Sequence, residues 1–262
     1  MYMLGLVLLF AAVMWQSAAQ VSDSPPQIAL ALFNSGKYQE CFGIIQKYVQ
    51  QNPNDGNAHK ILGMDEYMLG DIAGALQEVK RATELSPNDP DAFYYLGRLY
   101  FSANNPRDAL PVFQKAIELN PSSVRTHNQM GQTYEALGRL QDAEREYREA
   151  IASEEKQLKR SEWPYYNLGL LYLNAGRADQ AVAYFRQALL CNPAFPEAQV
   201  KLAAALSKQN LRDQAMVLLQ AAVKENPQNA EAHYHLALLL SRSGKQQEAQ
   251  AQFALFQKYR AR

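Results

Sequence analysis

The chain lacks most of the patterns that announce chemistry. Its 262 residues contain no G-x-S-x-G, H-E-x-x-H, G-x-x-x-x-G-K-[ST] or G-x-G-x-x-G stretch and no C-x-x-C. The signatures of a nucleophile elbow, a zinc hydrolase, a phosphate loop and a dinucleotide fold are therefore missing. Charge of one sign is missing too: 26 basic residues balance 26 acidic ones. With no basic stripe, general nucleic-acid binding is disfavoured, because it draws most of its affinity from phosphate neutralisation. Cysteine is scarce, with only Cys41 and Cys191. Long apolar runs are confined to the first 19 residues, which carry no charged side chain. Leu4–Trp15 is short for a bilayer span, and Ser17-Ala18-Ala19 supplies the small residues of a cleavage site. Residues 1–19 are read as an export signal that places the protein in the periplasm or outside the cell, although no Lys or Arg precedes the apolar stretch. The alternative is an uncleaved N-terminal anchor, the one route by which a membrane would be involved.

What is present is a period. Gly63, Gly70, Ala75, Ala82 and Pro87 recur 34 positions later as Gly97, Asn104, Ala109, Ala116 and Pro121. Gly169, Gly176, Ala181, Ala188 and Pro193 restate the series, as do Ala203, Asn210, Ala215, Ala222 and Pro227. A fixed period of this length means stacked supersecondary elements. Apolar residues at helical spacing, such as Leu96, Leu99 and Tyr100, predict a first helix. Gly or Asn at 70, 104, 138, 176, 210 and 244 suits the left-handed residue that closes it. A second helix carries a small residue, then a large one four positions on (Val79, Phe113, Tyr147, Phe185, Leu219, Phe253), then usually Ala. Small residues let helix backbones approach, and the large one fills the gap. A proline then ends the repeat, since the residue before it leaves the α region.

This pattern resembles the tetratricopeptide repeat. The resemblance covers nearly all of residues 20–262 and implies an all-α solenoid of seven stacked helix–turn–helix repeats wound into a right-handed superhelix. The repeats lie near 22–55, 56–89, 90–123, 124–161, 162–195, 196–229 and 230–262. The first departs most, with Pro25 and Cys41 at marker positions, and is expected to cap the stack. In the last, Gln246, Gln250 and Gln257 replace residues that are mostly apolar elsewhere, which is expected of a terminal cap. Four additional residues follow Ile151. The charged run Ser153–Glu162 is read as an extended second helix with a solvated tip, and Glu154 and Glu155 as part of that solvated face.

The same register assigns most other candidates to packing. His59, His127 and His233 fall at the fourth position of their repeats, where the family has a packing residue. His235, two residues from His233, does not share its face, so no metal site is expected. Cys41 reads as a small buried residue. Four repeats separate it from Cys191, too far for a bridge, and an intermolecular disulfide through Cys191 stays open. No catalytic residue and no cofactor is expected.

In the family, the first helices of successive repeats line a concave face that holds peptides. Carried over by position, that face includes Lys60, Met64, Tyr67, Tyr94, Arg98, Phe101, Arg125, Asn128, Trp163, Tyr166 and Tyr234. Aromatic and Met side chains are frequent in interaction hot spots, and the cations and Asn128 suit a backbone or carboxylate. The carboxylate clamp of some members is incomplete: the matching positions hold Lys60, Met64, Tyr95, Arg125 and Gln129. The expected function is a non-enzymatic scaffold or adaptor that binds a protein or peptide segment, without nucleic acid. The alternative is a structural accessory of an envelope-assembly, pilus or secretion complex.

Overall fold

The computed structural model describes residues 24–154 and 160–260. The expected export signal, residues 155–159 of the charged run and the last two residues lie outside them. The described residues form fourteen α-helices and no strand. They divide into two compact units, residues 24–88 and 89–260.

The first unit holds α1 (Pro25–Asn34), α2 (Tyr38–Gln51), α3 (Gly56–Leu69) and α4 (Ile72–Leu85). α1 packs on α2, α3 on α4, and α2 and α1 both touch α3. The second unit continues with α5 (Pro90–Ser102), α6 (Pro106–Leu119), α7 (Val124–Ala136), α8 (Leu140–Glu154) and α9 (Trp163–Asn174). It ends with α10 (Ala178–Cys191), α11 (Pro196–Lys208), α12 (Arg212–Glu225), α13 (Ala230–Arg242) and α14 (Gln246–Tyr259). Within this unit each odd-numbered helix packs on the even one after it, and α6, α8, α10 and α12 each pack on the next odd one. First helices also meet directly, α5 with α7, α7 with α9 and α11 with α13. These elements make the chain an all-α helical repeat solenoid.

The packing rule in the sequence has a geometric cause. A Cβ placed on Gly97 would lie 2.6 Å from Phe113 Cε1, and one on Gly131 would lie 2.4 Å from Tyr147 Cε1. Gly169 stands in the same relation to Phe185, and Gly63 to Val79. All four large partners are fully buried. The second helix thus seats a fully buried apolar or aromatic side chain on the bare backbone of the first. Each seating is worth about 1.5–3 kcal/mol of apolar burial. In the sixth repeat Ala203 and Leu219, both buried, occupy the same positions, a larger small residue under a smaller large one.

Helix ends follow the expected signals. Asn104 and Asn210 adopt positive φ (57° and 61°), as do Gly70, Gly138, Gly176 and Gly244. At Gly138 the Arg139 N–H reaches back to the Tyr134 carbonyl at 2.8 Å, so the left-handed residue satisfies an otherwise orphaned carbonyl. Gln246, Gln250 and Gln257 are exposed on α14.

The three histidines at the fourth repeat position are buried, and each is a latch. Nδ1 of His127 lies 2.9 Å from Glu146 Oε2, and Nε2 lies 3.0 Å from the Pro121 carbonyl oxygen. His59 bridges Glu78 and the Pro53 carbonyl, and His233 bridges Gln252 and the Pro227 carbonyl. Gln199 does half of this in its repeat, donating from Nε2 to the Pro193 carbonyl at 2.8 Å. Burial opposes the charge on His127, but the bonds from Glu146 and the Pro121 carbonyl outweigh it, and its pKa is raised. Both ring nitrogens face acceptors, which only the doubly protonated ring satisfies.

Candidate functional site

The structure corrects two readings. Glu154 is not on a solvated face: it is 1% exposed. Its Oε1 accepts the Ser161 N–H at 2.8 Å, and burial raises its pKa. α8 is described as far as Glu154 and the chain resumes at Arg160, so the expected helical extension lies outside the described residues. The second correction concerns exposure. Met64, Tyr94 and Tyr166 are buried at 7, 8 and 8% exposure, because neighbouring side chains cover them. Tyr94 packs against Phe113 and Tyr95. Tyr166 lies between Phe185 and Phe195, with Trp163 edge-on. Burial raises the pKa of both hydroxyls, Tyr166 to about 12.

In the first unit, α3 carries Lys60, Met64 and Tyr67, of which Lys60 and Tyr67 are partly exposed. In the second unit, four predicted residues from three successive first helices meet at one cavity of about 290 Å³. They are Tyr94 of α5, Arg125 and Asn128 of α7, and Trp163 of α9. Val124, Gln129, Glu154, Ser161 and Pro164 complete its wall. Of these only Gln129 carried a sequence signal, through the clamp comparison. The Arg125 guanidinium lies 4.4 Å from the Tyr94 ring centre and pairs with Asp91. Burial opposes its charge, but Asp91 outweighs that and raises its pKa. The pair joins α5 to α7; at nearly half exposure it contributes about 0–1 kcal/mol. Asn128 accepts from Asn167 Nδ2 at 2.9 Å, which ties α7 to α9. Trp163 is 46% exposed and meets Phe195 edge-on at 4.9 Å.

The remaining predicted residues stand apart from this cavity. Arg98 lies 5.8 Å from the Tyr94 ring centre, and Phe101 packs against the core. Tyr234 is exposed on α13, where it packs on Phe256 and Phe253. A second, smaller cavity of about 190 Å³ lies between α11 and α13. It has an alanine and leucine floor, with Lys208, His235 and Arg242 at its margin. Beside it Glu231 is held at about 2 by hydrogen bonds from His235 and Lys201, which outweigh its partial burial. His235 Nε2 lies 3.6 Å from Glu231 Oε1. Among the described residues no cluster of His, Cys, Asp and Glu is arranged to hold a metal, and no helix is long and apolar enough to cross a membrane.

The paired helices, the glycine seats and the row of first helices define the class: a helical repeat of the protein-interaction kind. The family described as cilia and flagella-associated protein 70 middle TPR-like domain matches residues 128–257, and anaphase-promoting complex subunit 3 matches residues 68–150. The chain belongs to the tetratricopeptide-repeat family. No curated protein matches its sequence. Among solved structures, it resembles that of the APC/C hetero-tetramer Cut9–Hcn1 at 17% identity and TM-score 0.72, covering 88% of this chain and 45% of that one. It thus spans less than half the length of that relative. PilW, described as a widely conserved type IV pilus biogenesis factor, is 20% identical at TM-score 0.67, covering 78% and 92%. YrrB, described as a TPR protein with an unusual peptide-binding site, is 20% identical at TM-score 0.53, covering 68% and 90%. At these identities the likeness shows the fold alone.

Proposed function

We propose that the chain is a non-catalytic scaffold that binds a segment of a partner protein across the first helices α5, α7 and α9. The convergence of Tyr94, Arg125, Asn128 and Trp163 on one cavity carries this reading. Three helices from successive repeats each supply a side chain, so an extended ligand would meet several of them at once. An exposed Trp and an Arg that is stacked yet accessible are the residue types that dominate binding energy at protein interfaces. The peptide-binding relative YrrB supports the same reading by analogy of fold.

The test is capture of partners from a lysate by the full chain and by an Arg125→Ala, Asn128→Ala, Trp163→Ala variant. These side chains are at least partly exposed, and circular dichroism of the variant checks that the helices remain. Loss of the partners captured by wild type supports the groove, and full retention removes it.

The export reading of residues 1–19 is proposed with it: fractionation is expected to find the protein outside the cytoplasm with the segment removed. The second reading, a structural part of an envelope or pilus assembly, draws on that segment and on the likeness to PilW. A deletion strain with normal envelope assembly would remove it.

A further inference from the structure

We infer that the α5–α7–α9 cavity receives a lysine side chain of the bound segment; this deepens the proposed function and rests on it. Arg125 spends its charge on Asp91 and its face on Tyr94. Asn128 Oδ1 already accepts from Asn167. Glu154 Oε1 accepts from the Ser161 N–H. Glu154 Oε2 is buried with no hydrogen-bond partner among the described residues. A buried polar atom without a partner costs about 1–3 kcal/mol, more when charged, and native structures seldom leave one without a reason. The wall has an acceptor to spare, so the fitting occupant is a donor.

The charges agree. The groups around Glu154 are Arg160 and Glu162 on its own side, and Arg125 across the cavity. The charged residues that line the cavity are Arg125 and Glu154; because Arg125 is paired with Asp91, the Glu154 carboxyl is left to favour a cation. At the mouth, the half-exposed Trp163 ring offers a face to a cation, the strongest of the aromatic partners for that contact. Trp163, Pro164 and Val124 offer apolar wall to a methylene stem. A lysine matches this sequence of surfaces, with an alkyl stem that lies on apolar wall while its compact ammonium reaches a carboxylate.

The test uses the full chain and three pentapeptide probes, acetyl-Ala-Ala-X-Ala-Ala-amide with X as lysine, norleucine or glutamate, titrated by NMR. Wild type is expected to bind the lysine probe about tenfold more tightly than the norleucine probe. Glu154→Gln, which keeps size and shape, is expected to abolish that preference while norleucine binding stays the same. Trp163→Leu, a surface substitution, gives a second reading and is expected to reduce the preference. Equal binding of lysine and norleucine, preference for glutamate, or no lysine binding up to about 10 mM overturns the inference. Partner capture separates the two readings: if the Arg125, Asn128 and Trp163 variant loses its partners but the probes show no lysine preference, the lysine pocket falls and the groove stands.

Discussion

Gly97→Ala isolates the packing device that four of the repeats share. The new Cβ would lie 2.6, 2.7 and 2.8 Å from three ring atoms of Phe113, and the ring is fully buried, so it has nowhere to swing. Overpacking of this kind costs about 1–3 kcal/mol. Against it, Ala gains about 0.8–1.0 kcal/mol of helix propensity over Gly. The matched control is Gly43→Ala, in the middle of α2, where an added Cβ meets nothing within 4 Å. That substitution keeps only the propensity gain. The difference between the two, about 1–3 kcal/mol, is the packing cost alone. Urea unfolding followed by far-ultraviolet circular dichroism measures it. Adding Phe113→Leu to Gly97→Ala should recover much of the loss, because Ala203 over Leu219 is that same pair already built into the sixth repeat; a coupling of about 1 kcal/mol is expected for residues in contact. If Gly97→Ala stabilises as much as Gly43→Ala, the account of the seats is wrong.

Other expectations follow from single contacts. The raised His127 pKa makes its latch a source of stability that is fully present below the unfolded value of 6.5 and lost as pH rises through the folded value. Wild type is therefore expected to lose melting temperature on going above pH 6.5, and His127→Gln, which imitates Gln199, to flatten that fall. Tyr172→Phe removes the hydroxyl that donates to Glu144 at 2.7 Å and accepts from Arg148 at 2.7 Å. It should cost about 1–3 kcal/mol in urea unfolding; a neutral result would show that the network is solvated away. Burial pushes the Cys41 thiol up to about 12 and leaves Cys191 half-buried. Maleimide labelling of the native chain near pH 8, read by mass spectrometry, should therefore modify Cys191 first.

The repeat was legible because each pair of helices solves one packing problem with one set of residues. Gly97 under Phe113 and the left-handed Asn104 show that a single position can report both a helix and its end. The candidate site was legible in part, since register puts Tyr94, Arg125, Asn128 and Trp163 on successive first helices and in the fold they line one cavity. Register did not reveal that Tyr94 and Tyr166 are covered, because the covering rings, Phe113, Phe185 and Phe195, come from second helices and from a loop that feeds the next repeat. Glu154 escaped for a different reason. It stands where four additional residues break the period, so no counterpart elsewhere in the chain indicates its environment, and its charged neighbours imitate a solvated tip. The latch partners of His59, His127 and His233 lie 19 residues on, a spacing that acquires meaning only once the two helices are packed.

The central claim is that partners are held by the first-helix face of α5, α7 and α9. Photo-crosslinking in living cells tests it most directly, with benzoylphenylalanine placed in turn at positions 125 and 163 and at the exposed second-helix positions 190 and 217. The account predicts partner adducts from 125 and 163 and none from 190 and 217. Adducts confined to 190 and 217 would contradict it and place the working surface on the second helices.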